Sequence, residues 1–242
     1  MRWSRSADGQ RRLWFDDDEI EQIMSDQLRR AELFPSTKEP IVDLERFVAR
    51  HLKSGLDQYA PLEDEILGAT EFFIGRAPKI QINRSLTAAA LDDPSPGAGA
   101  LGRWRATIAH EGAHVLLHRV LFELDDNQTT LFGVDRQTNG PMLLRCLKRE
   151  VSFDRRSSDW REYQANRGMA ALLMPRELFP GLAAEEAAAV DLHLASIEAA
   201  TEAARLLAAR LASRTGVSRQ AASIRLSTLG LIRPVGQLPV HQ

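Results

Sequence analysis

The chain has 242 residues, of which 44% are hydrophobic and 26% charged, and its formal net charge is −2. This length and balance are typical of a globular protein with its own core, and the charge argues against a protein that coats nucleic acid or an anionic membrane. Cys146 is the only cysteine, which excludes an internal disulfide framework. The N-terminus lacks the apolar core of a signal peptide, and no segment reaches the ~20 apolar residues that span a bilayer, so we expect a cytoplasmic protein.

The first 60 residues carry two amphipathic helical patterns. Acidic residues at 16–18 precede apolar residues at helical spacing, which predicts a first helix that runs to about Leu33. Asp43 is placed to cap a second helix, which Gly55 ends. We therefore interpret residues 1–60 as an N-terminal helical region.

The pattern then changes to two short strands. Residues 66–74 are mostly apolar, and residues 79–83 alternate between polar and apolar side chains, as in a strand with one buried face. Residues 92–102 have the proline- and glycine-rich composition of a loop. A long helical pattern from Trp104 to Leu121 follows this loop.

The second half of the chain is less uniform. Residues 122–158 are rich in Asp, Asn, Gln, Thr and Gly and predict no firm structure, although residues 142–144 form an apolar island. A further helix is predicted from about Asp159 to Leu173. Alanine-rich sequence from Ala183 to Ala212 also favours helix.

The long helical pattern contains an H-E-x-x-H motif, His110-Glu111-Gly112-Ala113-His114. On a helix, residues i and i+4 lie on one face about 6 Å apart along the axis, so His110 and His114 can bind one metal ion. The carboxylate of Glu111 can then reach a metal-bound water rather than the metal, which is where a general base is needed. The motif therefore predicts a catalytic zinc site with Glu111 as the base.

A third metal ligand has to come from elsewhere in the chain. His118 continues the i+4 spacing, but it lies about 12 Å along the axis from His110, so we expect it to pack or hydrogen-bond instead. Glu162 and Asn166 form an i, i+4 pair in a later helix, so one could bind the metal while the other holds a ligand histidine. The alternative interpretation of Glu162 is a solvated helix residue.

Three blocks, in order along the chain, share a known family pattern. The first is the motif helix from Arg103 to His118, and the second is Glu162-Tyr163-Gln164-Ala165-Asn166 followed by Leu172-Leu173-Met174-Pro175. The third is the segment at 205–231, which has helix-turn-helix form. Together these blocks resemble the ImmA/IrrE family of zinc metallopeptidases, and the likeness extends from about residue 66 to residue 231.

The resemblance implies an α+β, zincin-like fold that is mostly helical, with a small β-sheet beside the H-E-x-x-H helix and a C-terminal helix-turn-helix-like segment. It also implies Zn²⁺ bound by His110, His114 and Glu162, with residues 61–182 as the metallopeptidase core and 183–242 as a C-terminal helical region. Glu162 follows His114 by 48 positions, which is longer than the usual gap in the family. Residues 122–158 therefore look like an insertion.

The resemblance further implies a site-specific endopeptidase that cleaves a DNA-bound transcriptional repressor and so induces stress-response or mobile-element genes. Two alternatives remain open from the residues alone. One is a DNA- or protein-binding regulator with a non-catalytic zinc site, against which the intact Glu111 counts. The other is a zinc hydrolase that acts on a substrate smaller than a protein.

The helix-turn-helix-like segment suggests a contact with DNA or a partner. Ser218 and Gly230 bracket a helix of about three turns. The alternative, which we favour, is that this helix packs against the peptidase or holds a substrate repressor, because it offers few base-reading side chains. In a DNA reader, the side chains facing the groove would be Arg219, Gln220, Ser223 and Arg225.

Overall fold

A computed structural model of the chain describes residues 2–5, 11–73, 75–94, 98–123, 142–147 and 159–236. None of the helices in these ranges has the length and apolar character needed to cross a membrane. The strands are β1 (Arg2–Arg5), β2 (Arg11–Trp14), β3 (Gly55–Ala60), β4 (Ile66–Phe72), β5 (Lys79–Asn83) and β6 (Met142–Leu147). The helices are α1 (Asp17–Arg30), α2 (Leu44–Arg46, continued by a π-helical turn Phe47–His51), α3 (Arg84–Thr87, continued by Ala88–Asp92), α4 (Ala98–Glu123), α5 (Trp160–Leu173), α6 (Phe179–Ala188), α7 (Glu202–Thr215) and α8 (Arg219–Thr228).

A four-stranded sheet in the order β3-β5-β4-β6 lies beside α4. β3 runs parallel to β5, whereas β4 is antiparallel to both of its neighbours. β4 and β5 are the two strands predicted at 66–74 and 79–83, apart from residue 74, which lies outside the described residues. The predicted α+β arrangement, mostly helical with a small sheet beside the motif helix, is confirmed.

Four strands were not predicted. β1 and β2 form a separate two-stranded antiparallel sheet within the expected helical region 1–60. β3 also lies within region 1–60, and all but one of its residues are at least partly exposed, so no alternation of polar and apolar side chains marks it. β6 contains the apolar island of the predicted insertion 122–158 and pairs with β4 along the sheet edge. The rest of 124–158 lies outside the described residues. The division into three regions stays a prediction.

The first helix shows how local sequence sets an element. Asp16 accepts a hydrogen bond from the backbone N–H of Glu19, and the Glu19 side chain accepts one from the Asp16 backbone, which forms a capping box. Ile20, Met24 and Leu28 are buried along one face of α1 and pack into the core. The helix ends at Arg30, three residues before the predicted boundary.

Helices α4 and α5 pack closely at the centre of the molecule. A Cβ atom placed on Gly168 of α5 would lie 2.7 Å from the Cβ of Ala113 on α4, closer than side-chain carbons approach. Gly168 therefore allows α5 to lie directly against the turn of α4 that carries the H-E-x-x-H motif.

The C-terminal helices α7 and α8 form the predicted helical pair. Gly216 makes the turn between them with φ of 67°, and Ser218 caps α8 by accepting from the N–H of Ala221. The position of Arg225 contradicts a role in DNA contact. Its guanidinium is buried, and it donates to both carboxylate oxygens of Glu21 at 2.5 and 2.8 Å and to the carbonyl of Met174.

The Glu21–Arg225 ion pair generates a stability prediction. Only 2% of the Arg225 side chain and 8% of the Glu21 side chain are exposed, so removing one charge leaves the other buried and uncompensated. We expect Glu21→Gln to lower the free energy of unfolding by about 3 kcal/mol in urea denaturation. The matched control is Glu202→Gln in an exposed Arg205–Glu202 pair, which should leave stability nearly unchanged. Equal effects of the two substitutions would contradict a structural role for the buried pair.

Candidate metal centre

Helices α4 and α5 bring His110, His114 and Glu162 together, and all three side chains are buried. Nε2 of His110 lies 3.0 Å from Oε2 of Glu162 and 3.1 Å from Nε2 of His114, and Nε2 of His114 lies 3.3 Å from Oε1 of Glu162. Four ligands around zinc at 2.0–2.1 Å stand about 3.3 Å apart, so these separations fit three corners of one tetrahedron. Two imidazoles and a carboxylate are also a donor set of catalytic zinc sites.

The electrostatics keep Glu162 ionised. Burial opposes ionisation, but the charges of His114 and His110 and their hydrogen bonds outweigh it and hold the pKa of Glu162 far below its usual range. For His114, burial works toward a lower pKa, but the neighbouring carboxylate of Glu162 raises the pKa overall. A carboxylate between two imidazoles is thus available as an anionic ligand at any ordinary pH.

Glu111 is fully buried beside the cluster, and its two oxygens differ. Oε2 accepts a hydrogen bond of 2.5 Å from the hydroxyl of Thr70 on β4. Oε1 is buried and has no hydrogen-bond partner among the described residues. An unpaired buried carboxylate oxygen is costly and marks the place of a missing donor, which a metal-bound water would supply. Burial raises the pKa of Glu111, although His114 and His110 oppose the shift.

Gly68 leaves space beside this free oxygen. A Cβ atom at Gly68 would lie 3.0 Å from Oε1 of Glu111 and 2.7 Å from the Cγ2 of Thr107. Sequence analysis missed both Gly68 and Thr70 as residues of the site. They lie on the predicted strand 66–74, but no pattern within a strand shows which of its residues faces a distant helix.

A second layer of polar groups contacts the ligand histidines. Oδ1 of Asn166 lies 3.2 Å from Nδ1 of His110, the contact that the i, i+4 spacing with Glu162 suggested. His118 is buried with its Nδ1 2.9 Å from Nδ1 of His114, and it takes no place in the metal cluster. Burial holds the pKa of His118 well below its usual value, and His114 adds to this effect, so His118 is neutral.

The residues predicted to contact nucleic acid or a partner lie on α8 and do not belong to this cluster. Arg219 and Gln220 are exposed in the first turn of α8, and Ser223 is half-buried on the same helix. These three side chains therefore stay available for a partner, whereas Arg225 is held by Glu21.

The cluster makes a prediction about metal content. We expect about one zinc per purified wild-type chain and per Glu111→Gln chain, and a marked loss in Glu162→Ala, because two imidazoles alone hold zinc weakly. Elemental mass spectrometry after dialysis measures the ratio. Glu111→Gln is the matched control, since it changes a neighbouring buried carboxylate that is not a ligand. Full zinc retention in Glu162→Ala would contradict the ligand set.

Comparison with known proteins supports the same chemistry. The family model described as IrrE N-terminal-like domain, a peptidase family, matches residues 100–227, slightly more than half of the chain. No curated protein matched the chain in a separate search. The matched residues include the H-E-x-x-H motif of α4 and Glu162 of α5, which form the buried metal cluster. The chain therefore belongs to the IrrE-like peptidase family and is a zinc metallopeptidase.

Proposed function

We propose that the protein is a site-specific endopeptidase that cleaves a transcriptional repressor, with Glu111 as its general base. The observation that carries the catalytic part is Oε1 of Glu111, which is buried beside His110, His114 and Glu162 and has no hydrogen-bond partner among the described residues. In a structural zinc site, four protein ligands complete the coordination and no neighbouring base is needed. Here the described residues supply three ligands, as in a catalytic site.

Each residue of the site has a distinct task in this proposal. His110, His114 and Glu162 hold the ion, which when bound would supply Lewis-acid activation of a water and of the scissile carbonyl. Thr70 occupies Oε2 of Glu111, which leaves Oε1 to take a proton from the attacking water. Glu111 then returns that proton to the leaving amine. The raised pKa of Glu111 suits a group that must both accept and donate a proton.

The choice of a repressor as substrate is supported by the resemblance to the ImmA/IrrE family. The helix-turn-helix form of α7 and α8 is a second support, because a repressor or its DNA could dock there. Arg219 and Gln220 are exposed at the start of α8 and are the residues we assign to that contact. In this proposal the enzyme acts in the cytoplasm, and cleavage of the repressor induces stress-response or mobile-element genes.

The test compares cells that produce wild-type protein with cells that produce Glu111→Gln. Mass spectrometry of new protein N-termini should detect a cleaved DNA-binding repressor only with the wild type. With the purified repressor, Glu111→Gln should cleave about 10²- to 10⁴-fold more slowly, because the substitution removes the general base and keeps the ligands.

Gene induction separates the two remaining hypotheses. If Glu111→Gln induced the same genes as the wild type, the protein would be a binding regulator with a non-catalytic zinc site. Cleavage confined to short peptides, with no repressor processed, would instead favour a hydrolase of smaller substrates.

A further inference from the structure

A chain of hydrogen bonds runs from the metal ligand His114 to β2, which pairs with β1 in an antiparallel sheet, the N-terminal hairpin. Nδ1 of His114 lies 2.9 Å from Nδ1 of His118, and Nε2 of His118 lies 3.1 Å from Oε1 of Gln164. Nε2 of Gln164 donates to the backbone carbonyl of Leu13 at 3.2 Å. All four residues are buried, so water does not compete for these bonds.

The direction of each bond follows from the far end of this chain. The carbonyl of Leu13 can only accept, so the amide nitrogen of Gln164 faces it and the amide oxygen faces His118. That oxygen also only accepts, so Nε2 of His118 carries the proton. No described carboxylate lies within hydrogen-bond distance of His118, and a buried imidazole without such a partner is neutral.

A neutral imidazole has one N–H, so Nδ1 of His118 is left as an acceptor. His114 must then donate from its own Nδ1, so that in its neutral form, the form that binds a metal, Nε2 keeps the lone pair. That nitrogen is the one that lies 3.3 Å from Glu162 and 3.1 Å from Nε2 of His110. The lone pair is therefore directed into the metal cluster.

We propose that Leu13, Gln164 and His118 act as a relay that fixes the proton of His114 on Nδ1 and so prepares Nε2 to bind zinc. His118 and Gln164 are positioning residues in this scheme. It rests on the metal centre and not on the choice of a repressor as substrate.

The other ligand histidine shows why Gln164 is needed. His110 faces the amide oxygen of Asn166, which can only accept, so its tautomer is set by one contact. His114 faces a second imidazole, which accepts only in one of its two neutral tautomers. Gln164 removes this ambiguity, and Leu13 in turn orients Gln164.

The relay also links the site to residues outside the family match at 100–227. Leu13 lies on β2, whose register with β1 pairs it with Trp3. Leu13 is fully buried, which holds its carbonyl in place against Gln164. The N-terminal hairpin therefore contributes to zinc affinity although it supplies no ligand.

The first experiment compares two substitutions of similar shape at His118. In His118→Asn, the side-chain oxygen can still accept from Nδ1 of His114, whereas His118→Leu removes the acceptor. We expect the zinc Kd, from competition with a chromophoric chelator, to rise about 10- to 100-fold in His118→Leu and by less than about threefold in His118→Asn. Equal zinc affinity of the two variants would overturn the relay.

Gln164→Met supplies a second route, because it keeps the side-chain length and removes the amide. It should weaken zinc binding in the same direction. The double variant with His118→Leu should bind zinc no more weakly than His118→Leu alone, since both changes break one relay. Thermal unfolding of the zinc-free variants checks that each one is folded. Fully additive effects would mean that the two residues act separately and would overturn the proposal.

Nitrogen NMR of the wild-type imidazoles reads the tautomer directly and does not depend on any variant. We expect Nε2 of His118 to carry the proton and Nδ1 to be unprotonated, with and without zinc. A proton on Nδ1 of His118 would reverse the relay and exclude it. These outcomes are independent of repressor cleavage, so failure of the relay and failure of the proposed function are distinguishable.

Discussion

The contact of Glu162 with both histidines of the motif is the interaction on which the site depends. It joins α5 to α4 at a place where all three side chains are buried. A buried carboxylate remains ionised only if its partners are close, and both imidazoles lie about 3 Å from Glu162. That distance requires the two helices to pack closely against each other. Gly168 permits the approach, because any side chain there would strike Ala113.

The remaining polar groups follow from the burial that this close packing creates. The Thr70 hydroxyl donates to one oxygen of Glu111, and hydrogen bonds also join Asn166 to His110 and His118 to His114. Each bond satisfies a group that would otherwise be buried without a partner, and together they give the ligands one orientation. Among the described residues, Oε1 of Glu111 is the exception, as is expected of the general base that we propose.

The sequence predicted best what depends on neighbours along the chain. The H-E-x-x-H spacing placed two ligands and a base on α4 without reference to any other element, and the alternation at 79–83 identified β5. The prediction of Glu162 as a metal ligand depended on the family resemblance, because no feature of the α5 sequence distinguishes a ligand from a solvated glutamate. Arg225 was misassigned because arginine on a surface helix is normally exposed, and its partner Glu21 is 204 positions away. Thr70 and Gln164 were missed for the same reason, because their contacts cross between elements distant in sequence.

Through these long-range contacts, residues among the first hundred hydrogen-bond to side chains of the metal site. The ligands and the base all lie within the matched segment 100–227, whereas Thr70 and the carbonyl of Leu13 lie before it. The segment alone would therefore contain His110, His114 and Glu162 but would lose the hydroxyl that holds Glu111 and the acceptor that orients Gln164. A metal site held only by its ligands binds less tightly than one whose ligands are held in turn by hydrogen bonds. The sheet and the hairpin are for this reason parts of the metal centre, although they contribute no ligand to it.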